Sequence, residues 1–506
     1  MDQDQAATLA WLTAQATGAR SPARQVETHI SVVVLGEAQA FKLKRAVRLP
    51  YLDFSTPARR LDACETELKL NRRTAPELYR AVRRITRDAH GRLAFDGPGE
   101  LVDAVVEMQR FDEATLFDRM ASEGHLTRSL LTALARSIAR FHASAAPAPA
   151  ARGAEQVGAI ITLNQRCLVD AGLFGPANLA ALETASMDIC TQQAARLDRR
   201  AAEGHVRHCH GDLHLRNICL VDGAPTLFDC LEFDPALATI DVLYDLAFLL
   251  MDLWHRGAID EANWVLNRYL DETDESDGLP LLPLFMSLRA VIRGHVLARQ
   301  AADAGTSAAS GLRAEARSYV DLGRALLHAP APRLVAIGGF SGSGKSSVAA
   351  ALAARLGPPP GARVLASDRI RKRLHGVAAE TRLPAEAYAP QVSARVYATA
   401  AGQAAALLAD GVAVVMEAVF DRAEDRARLA ALAAQAGVPF QGIWLQAPAE
   451  TLVGRVTRRE GDASDATADV VRAQLAGDKP ADDWAVVDAG GDLSEVTSAV
   501  AAILHI

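Results

Sequence analysis

The sequence predicts two folds in tandem: an α+β domain of two lobes over residues 1–328, then an α/β domain with a parallel sheet over 333–506. Three observations carry this. Residues 334–337 are a short apolar run that passes into GGFSGSGKSS and then into an alanine-rich helical stretch, the strand–loop–helix order of a parallel α/β unit. Upstream, β-branched runs crowd the first hundred residues while helical periodicity dominates from 126 onward, so strands and helices segregate. Between the two lies HAPAPR, whose Pro330 and Pro332 mark a boundary.

At 506 residues the chain is too long for one ordinary core. Half the residues are apolar and 23% are charged, a globular composition. The net charge of −7 argues against a general nucleic-acid binder, and residues 331–506, with 18 Lys+Arg against 19 Asp+Glu, are no exception. The six cysteines, Cys64, Cys167, Cys190, Cys209, Cys219 and Cys230, contain no CxxC pair, which fits a reducing cytoplasm better than a disulfide or metal scaffold. The start MDQDQAATLAWL lacks the basic and apolar segments of a signal peptide. No apolar run is expected to span a membrane, since 244–254 is interrupted by Asp245 and Asp252. Oligomeric state is not legible.

In chain order, residues 6–17 read as an amphipathic helix, 26–35 as one strand, and 40–44 as its hairpin partner across a turn at Gly36 and Glu37. Alternation places Lys42 and Lys44 on one face. Lysines on an edge strand often serve solubility. A nucleotide-dependent transferase, however, needs one cation on a rigid strand to hold the α/β-phosphates, and Lys42 is preferred for this with Lys44 next to it. The helix 57–74 offers Glu65 and Glu67 as partners. Strands at 81–86 and 93–95 flank a turn, and 102–109 connects a small lobe (about 1–107) to a larger helical one (about 108–328), with Met108 bordering an adenine pocket.

The richest stretch is HCHGDLHLRNICLVDGAPTLFDC, beginning at His208. Asp212 and Asn217 precede two strand-like runs, 218–221 and 226–228, which a turn at 222–225 folds into a hairpin that returns Asp229 beside Asn217. Singly these residues read as a turn, a cap and a strand end. As an ordered set they are one carboxylate to steer a hydroxyl, plus an amide oxygen and a second carboxylate to ligate Mg²⁺, the minimum for kinase-type phosphoryl transfer. The set resembles the HGDxxxxN loop and following metal-binding Asp of aminoglycoside phosphotransferase-like kinases, distant relatives of protein kinases. Residues 42–56, KLKRAVRLPYLDFST, resemble the members of that group fused to a P-loop kinase. The resemblance implies a bilobal protein-kinase-like fold. Through ETELKLNRR it implies Glu67 as the lysine's partner, and it implies phosphate cover by the hairpin turn, although that turn holds the single glycine Gly36. It also implies that an Asp on the next helix, Asp241 or Asp245, braces the catalytic loop. Both are equally readable as helix N-terminal charges. Helices at 261–270 and 281–302, separated by DETDESDG, and another ending near 327 complete this part.

From Gly339 to Ser346 the second part fits GxxxxGK(S/T). Gly339, Gly342 and Gly344 let backbone N–H groups turn inward, with Ser341, Ser343 and Ser347 alongside, to cradle phosphate oxygens at the start of the helix 345–356. Lys345 would reach the β/γ-phosphates and the Ser346 hydroxyl would ligate Mg²⁺. A strand ending at Ser367 and Asp368 leads into a basic helix. Asp368 is there either a general base, with Arg371 or Arg373 holding substrate, or a helix N-cap. A strand at 412–416 ends at Glu417, a further candidate for the metal shell. After the strand 440–445 a helix carries Arg455, Arg458 and Arg459, suited to neutralising phosphate charge or to an ordinary solvated face. With GDASDATADVVRAQ at 461–474 this segment resembles the lid of gluconate kinase-like and zeta-toxin or polynucleotide-kinase-like enzymes. That resemblance implies the P-loop nucleoside triphosphate hydrolase fold and an Asp where Glu417 stands. A strand at 484–487 and a helix at 493–504 close the chain.

Together these readings predict a cytoplasmic, bifunctional phosphotransferase that uses ATP and Mg²⁺ at two sites and acts on small hydroxylated molecules. An aminoglycoside is one option for the first site, and a sugar or sugar acid for the second. Two alternatives stand beside it: a P-loop domain that binds ATP only to regulate, or one that phosphorylates a nucleotide or polynucleotide end.

Overall fold

The computed structural model describes the chain apart from residues 1–2, 19–21, 29, 50–51, 149–151, 304, 329, 460–462 and 478–482. The first two residues of the 461–474 lid stretch, and parts of the segments 42–56 and 328–333 singled out above, lie outside the described residues. Two compact units form: Met1–Asp252 with Leu288–Val320, and Leu253–Ser287 with Asp321–Ile506. Residues 253–287 and 321–328, expected with the first domain, thus group with the second.

In the first unit, six antiparallel strands are ordered Arg24–Glu27, Ser31–Leu35, Gln39–Lys44, Glu100–Gln109, Tyr79–Arg87 and Leu93–Phe95. The single strand expected over 26–35 is two strands, because Thr28 and Ser31 close a turn through the Thr28 hydroxyl and backbone and reverse the chain. Period-2 alternation then sorts the Gln39–Lys44 strand. Phe41 and Leu43 pack with Leu9 and Leu12 of the helix Gln3–Ala16, while Ala40 faces the opposite core with Cys64 of the helix Pro57–Asn71. Lys42 and Lys44 share that second face, which is why an acidic helix residue can meet both.

The larger lobe is helical, its principal members being Arg128–Ser144, Gly153–Ala171, Pro176–Gln192 and Val242–His255. Within it a two-stranded ribbon, Val206–His208 against Thr239–Asp241, clamps both ends of the loop that carries Asp212. The hairpin Ile218–Val221 with Ala224–Leu227 turns through Asp222 and Gly223 alone, both at positive φ, the geometry of a two-residue type I′ loop. One helical stretch, Ser276–Ala302, has the length and apolarity of a membrane span, contrary to the sequence expectation, but 72% of its most apolar window is buried inside the protein.

The second unit centres on five parallel strands in the order Arg363–Ala366, Val414–Glu417, Leu334–Gly338, Phe440–Gln446, Ala485–Asp488. Val335, Ile337, Val415, Ile443 and Leu445 meet Val348, Leu352 and the helix Leu493–Leu504 in one core. Because the glycine loop follows the central strand, it emerges at the carboxyl end of the sheet, where open α/β folds bind ligands.

Helix Ile259–Glu272 belongs to this unit. The side-chain amide of Asn267 accepts from Val364 N at 2.8 Å and donates to Ala362 O at 3.2 Å, completing the edge strand as another strand would. Asn263 donates to the carbonyls of Pro360 and Ala362 at 3.0 and 3.1 Å. Asp271, its side chain 12% exposed, pairs with Arg363 at 2.8 Å, Arg369 at 3.1 Å and Arg268 at 3.2 Å.

Candidate active sites

The first site is assembled from three distant pieces of chain. Lys42 reaches Glu67 Oε1 at 2.8 Å and also pairs with Asp229 Oδ1. Lys44, fully buried, reaches Glu67 Oε2 at 2.6 Å and pairs with Glu232. Glu67 is therefore shared by both lysines, and Glu65 enters no pair with either. Burial alone would raise the Glu67 carboxyl, but Lys42 and then Lys44 hold it down at about 2. Burial likewise opposes the charged form of Lys42, yet Asp229 and Glu67 lift it well above the ordinary lysine value. The two lysines differ in outlook: Lys42 meets the half-exposed Asp229, whereas Lys44 is closed in between two carboxylates.

Asp229 sits at φ +63°, in the left-handed region that few non-glycine residues occupy. Its N–H donates to the Tyr79 hydroxyl at 3.1 Å, and the next N–H, of Cys230, donates to Asn71 Oδ1 at 2.8 Å, so strand and helix hold this turn from both sides. On the facing loop, Asn217 Nδ2 donates to the Asp212 carbonyl at 2.9 Å and to its Oδ2 at 3.0 Å. That leaves the amide oxygen of Asn217 as a ligand. The Asp212 side chain is 40% exposed, with His214 Nε2 at 3.4 Å. Burial disfavours its charge, but His214, Arg293 and His210 hold it well below the usual carboxylate range.

Of the two expected braces, Asp245 takes the role. Its carboxylate accepts from His210 N at 3.1 Å and Gly211 N at 2.9 Å and meets His142 Nε2 at 3.1 Å. Asp241 instead pairs bidentately with the buried Arg200 at 2.8 and 3.0 Å and receives Leu243 N. Two residues escaped sequence reasoning. Asp252 accepts from Leu215 N at 3.1 Å, about two turns beyond Asp245, and Glu232 holds Lys44. The only signal for Glu232 was an acid three residues after Asp229.

In the second site Gly339 has φ +141° and a Cβ there would lie 2.6 Å from the Leu445 carbonyl; at Gly342 (φ +86°) it would lie 2.5 Å from that of Leu452. Only glycine fits either place. Ser343 lies buried against Gly339, its hydroxyl without a hydrogen-bond partner among the described residues. Lys345 Nζ donates to the carbonyls of Gly339 and Phe340 at 2.8 and 3.0 Å. The Ser346 hydroxyl lies 2.8 and 2.9 Å from the two oxygens of Glu417, at the end of the neighbouring strand. Ser341 N donates to Gln474 Oε1 at 2.8 Å, a contact that the sequence did not announce. Ser347 follows in the first turn of the helix Lys345–Leu352.

Asp368 lies in the first turn of Ser367–Leu374, whose N-cap is Ala366, so the N-cap reading of Asp368 is set aside. Arg371 turns to the Ala387 carbonyl at 2.7 Å and stacks on Tyr388 at 4.6 Å, while Arg373 pairs with Asp274. Arg455 departs from expectation. Its guanidinium donates to the carbonyls of Ala489 at 2.7 Å and Gly491 at 2.9 Å, anchoring the loop after the last strand instead of facing phosphate. Arg459 lies just past the end of that helix, half-buried. Asp465 of the lid stretch bonds Lys372 at 2.5 Å and the Tyr388 hydroxyl at 2.6 Å.

Residues 37–278 match the model of the phosphotransferase enzyme family, and residues 334–480 that of the AAA domain. An uncharacterized protein of Mycobacterium tuberculosis is 29% identical over 460 residues, covering 89% of either chain. The adenylyl-sulfate kinase of Myxococcus xanthus is 36% identical over 118 residues, 23% of this chain and 59% of that one. Among solved structures, a glucosamine kinase in complex with glucosamine, ADP and inorganic phosphate covers 60% of this chain and 76% of its own, at 19% identity and a TM-score of 0.37.

Proposed function

From a chain that joins a domain of the phosphotransferase enzyme family to a P-loop kinase domain, and so is a kinase, we propose two separate sites. Each moves the γ-phosphate of ATP to a hydroxyl group of a small molecule. The observation that carries this reading is the meeting of Lys42, Glu67 and Asp229 opposite Asp212 and Asn217. Sheet, helix and hairpin exit contribute one charge each to a constellation that a purely structural role does not require.

Both donor sets suit Mg²⁺: the Asn217 amide oxygen with the Asp229 carboxylate in the first site, the Ser346 hydroxyl with the Glu417 carboxylate in the second. All are hard oxygen ligands. Bound there, Mg²⁺ would neutralise charge on the phosphate oxygens. In the first site Lys42, oriented by Glu67, grips the α/β-phosphates, and Lys44 is a structural cation. Asp212, kept ionised by its basic neighbours, accepts the hydrogen bond of the acceptor hydroxyl and aims it. Asp245 and Asp252 fix the loop that carries it. In the second site the loop from Gly339 to Ser347 cradles the phosphates, Lys345 moves from the loop carbonyls to the β/γ-phosphates, and Asp368 acts as base. The direct contact between Ser346 and Glu417 supports Mg²⁺–ATP binding by the P-loop domain. The unpaired cysteines suit a cytoplasmic setting.

The test is ADP release by the full chain on sugars, sugar acids, nucleosides and aminoglycosides, with Asp212→Asn and Lys345→Ala alongside. Two sites predict that each variant abolishes one acceptor activity and spares the other. If Lys345→Ala alters only the Asp212-dependent activity, the P-loop domain is a regulator.

A further inference from the structure

The acceptor side of the first site has a charge that its chemistry must match. Arg289, on the helix Leu282–Asp303, donates to the Gly211 carbonyl at 3.1 Å and to the Tyr244 carbonyl at 3.1 Å, which seats that helix directly on the loop of Asp212. The helix is packed closely from behind: a Cβ on Gly294 would fall 2.6 Å from Val320 and 3.2 Å from the Ala316 carbonyl, so glycine is what lets it approach there. Arg293 stands four residues after Arg289, on the same face and one turn further along. Its guanidinium lies 5.9 Å from the centre of the Tyr319 ring, and no carboxylate among the described residues lies within ion-pair distance of it. His214, itself held edge-on to Phe248, brings Nε2 to 3.4 Å from Asp212 Oδ2. The side chains that most favour the charged form of Asp212 are His214, Arg293 and His210, all of them basic. A cationic group placed beside Arg293 would be repelled by it, whereas an anion beside the reacting hydroxyl would give Arg293 the carboxylate or phosphate partner it lacks among the described residues.

We infer that the first site takes a hydroxylated acceptor bearing a carboxylate or phosphate group, which Arg293 binds while Asp212 orients the hydroxyl. This rests on the reading of Asp212 as the group that steers the acceptor. In the reaction the acceptor oxygen forms a bond to the γ-phosphorus of ATP, the bond from that phosphorus to the β,γ-bridging oxygen breaks, ADP leaves with the bond pair, and the hydroxyl proton passes to Asp212 and then to water. The anionic group of the acceptor is unchanged.

The experiment uses the full chain with Lys345→Ala, which silences the second site. ADP release is followed with four acceptor classes: neutral sugars, amino sugars, sugar acids and sugar phosphates. Anionic acceptors should be preferred in kcat/KM, and the better of the two anionic classes identifies the group. Arg293→Gln should collapse that preference by roughly 10- to 100-fold, mainly through KM, as expected for one charge-assisted hydrogen bond. Arg293→Lys should restore much of it. A preference for amino sugars, an equal loss on every acceptor, or no transfer to any anionic acceptor overturns the inference. Asp212→Asn should abolish transfer to every class. Transfer that survives in that variant overturns the underlying reading of the site instead.

Discussion

Replacing Asp271 by Asn removes one charge and almost no volume, yet it should be among the most damaging changes in the second unit. The wild-type carboxylate meets three guanidinium groups, of Arg363, Arg369 and Arg268, at 2.8 to 3.2 Å. All four side chains are largely buried, so an amide in place of the acid would leave three cations facing one another out of water. Breaking a buried pair from one side costs about 3–5 kcal/mol. For a unit of roughly 220 residues, each kcal/mol moves the midpoint by about 2–4 °C, so the melting transition should fall by about 6–20 °C. The assay is thermal unfolding of the full chain at neutral pH. Asp274→Asn is the control, since that residue also pairs with an arginine but its side chain is 92% exposed. Burial would raise the Asp271 carboxyl, but Arg363, Arg268 and Arg369 lower it. Its contribution is thus present above the unfolded-state value of about 3.9 and is lost as pH falls through the folded one, so variant and wild type should converge in acid. If Asp271→Asn and Asp274→Asn melt together, or if residues 331–506 alone fold with full stability, the assignment of helix Ile259–Glu272 to this unit is wrong.

The two lysines should separate function from stability. Lys42→Met should lower Asp212-dependent kcat by about 10²–10³ and destabilise less than Lys44→Met, because the Asp229 it unpairs is half-exposed; Lys44→Met, which leaves Glu67 with one partner and the buried Glu232 with none, should destabilise by about 3–5 kcal/mol. Glu417→Gln should depress the Lys345-dependent activity by about 10²-fold and leave the Asp212-dependent one intact, read by ADP release with one acceptor for each site. Because Lys42 and Lys44 hold Glu67 near 2, its stabilising effect is complete above about pH 4.5 and should fade as pH falls from there towards 2. Comparing acid unfolding of wild type and Glu67→Gln measures this, and a constant difference across that window would refute it.

The fold class was legible because both signals are local. The glycine loop bounded by an apolar run and a helix needs some twenty consecutive residues, and the Asp222 and Gly223 turn fixes its hairpin by itself. Lys42 and Lys44 could be placed on a common face by counting in twos. What could not be read was whatever depends on a partner far along the chain. Glu232 matters only because Lys44, 188 positions away, arrives beside it. Nothing local distinguishes Asp245 from Asp241, since the difference is that Arg200 claims one and the backbone of His210 and Gly211 claims the other. The break at Thr28 was hidden because β-branched residues favour strand on both sides of it. Arg455 looked like any mobile arginine until the carbonyls of Ala489 and Gly491 were seen to hold it.

The amide of Asn267, standing in for a missing neighbour along Arg363–Ala366, also has a history in time. When a ribosome has just released residues 259–272, the chain that will cover Asn263, Asn267 and Asp271 has not been made. About a hundred further residues must emerge before residue 369, which takes about 5–20 s at ordinary rates of synthesis. Throughout that interval a helix destined for the second unit waits, with its polar face in water, while residues 288–320 come out and complete the first. Birth order and final position are therefore crossed in this polypeptide, and cutting its gene at the proline-rich boundary would strand that helix on the wrong product.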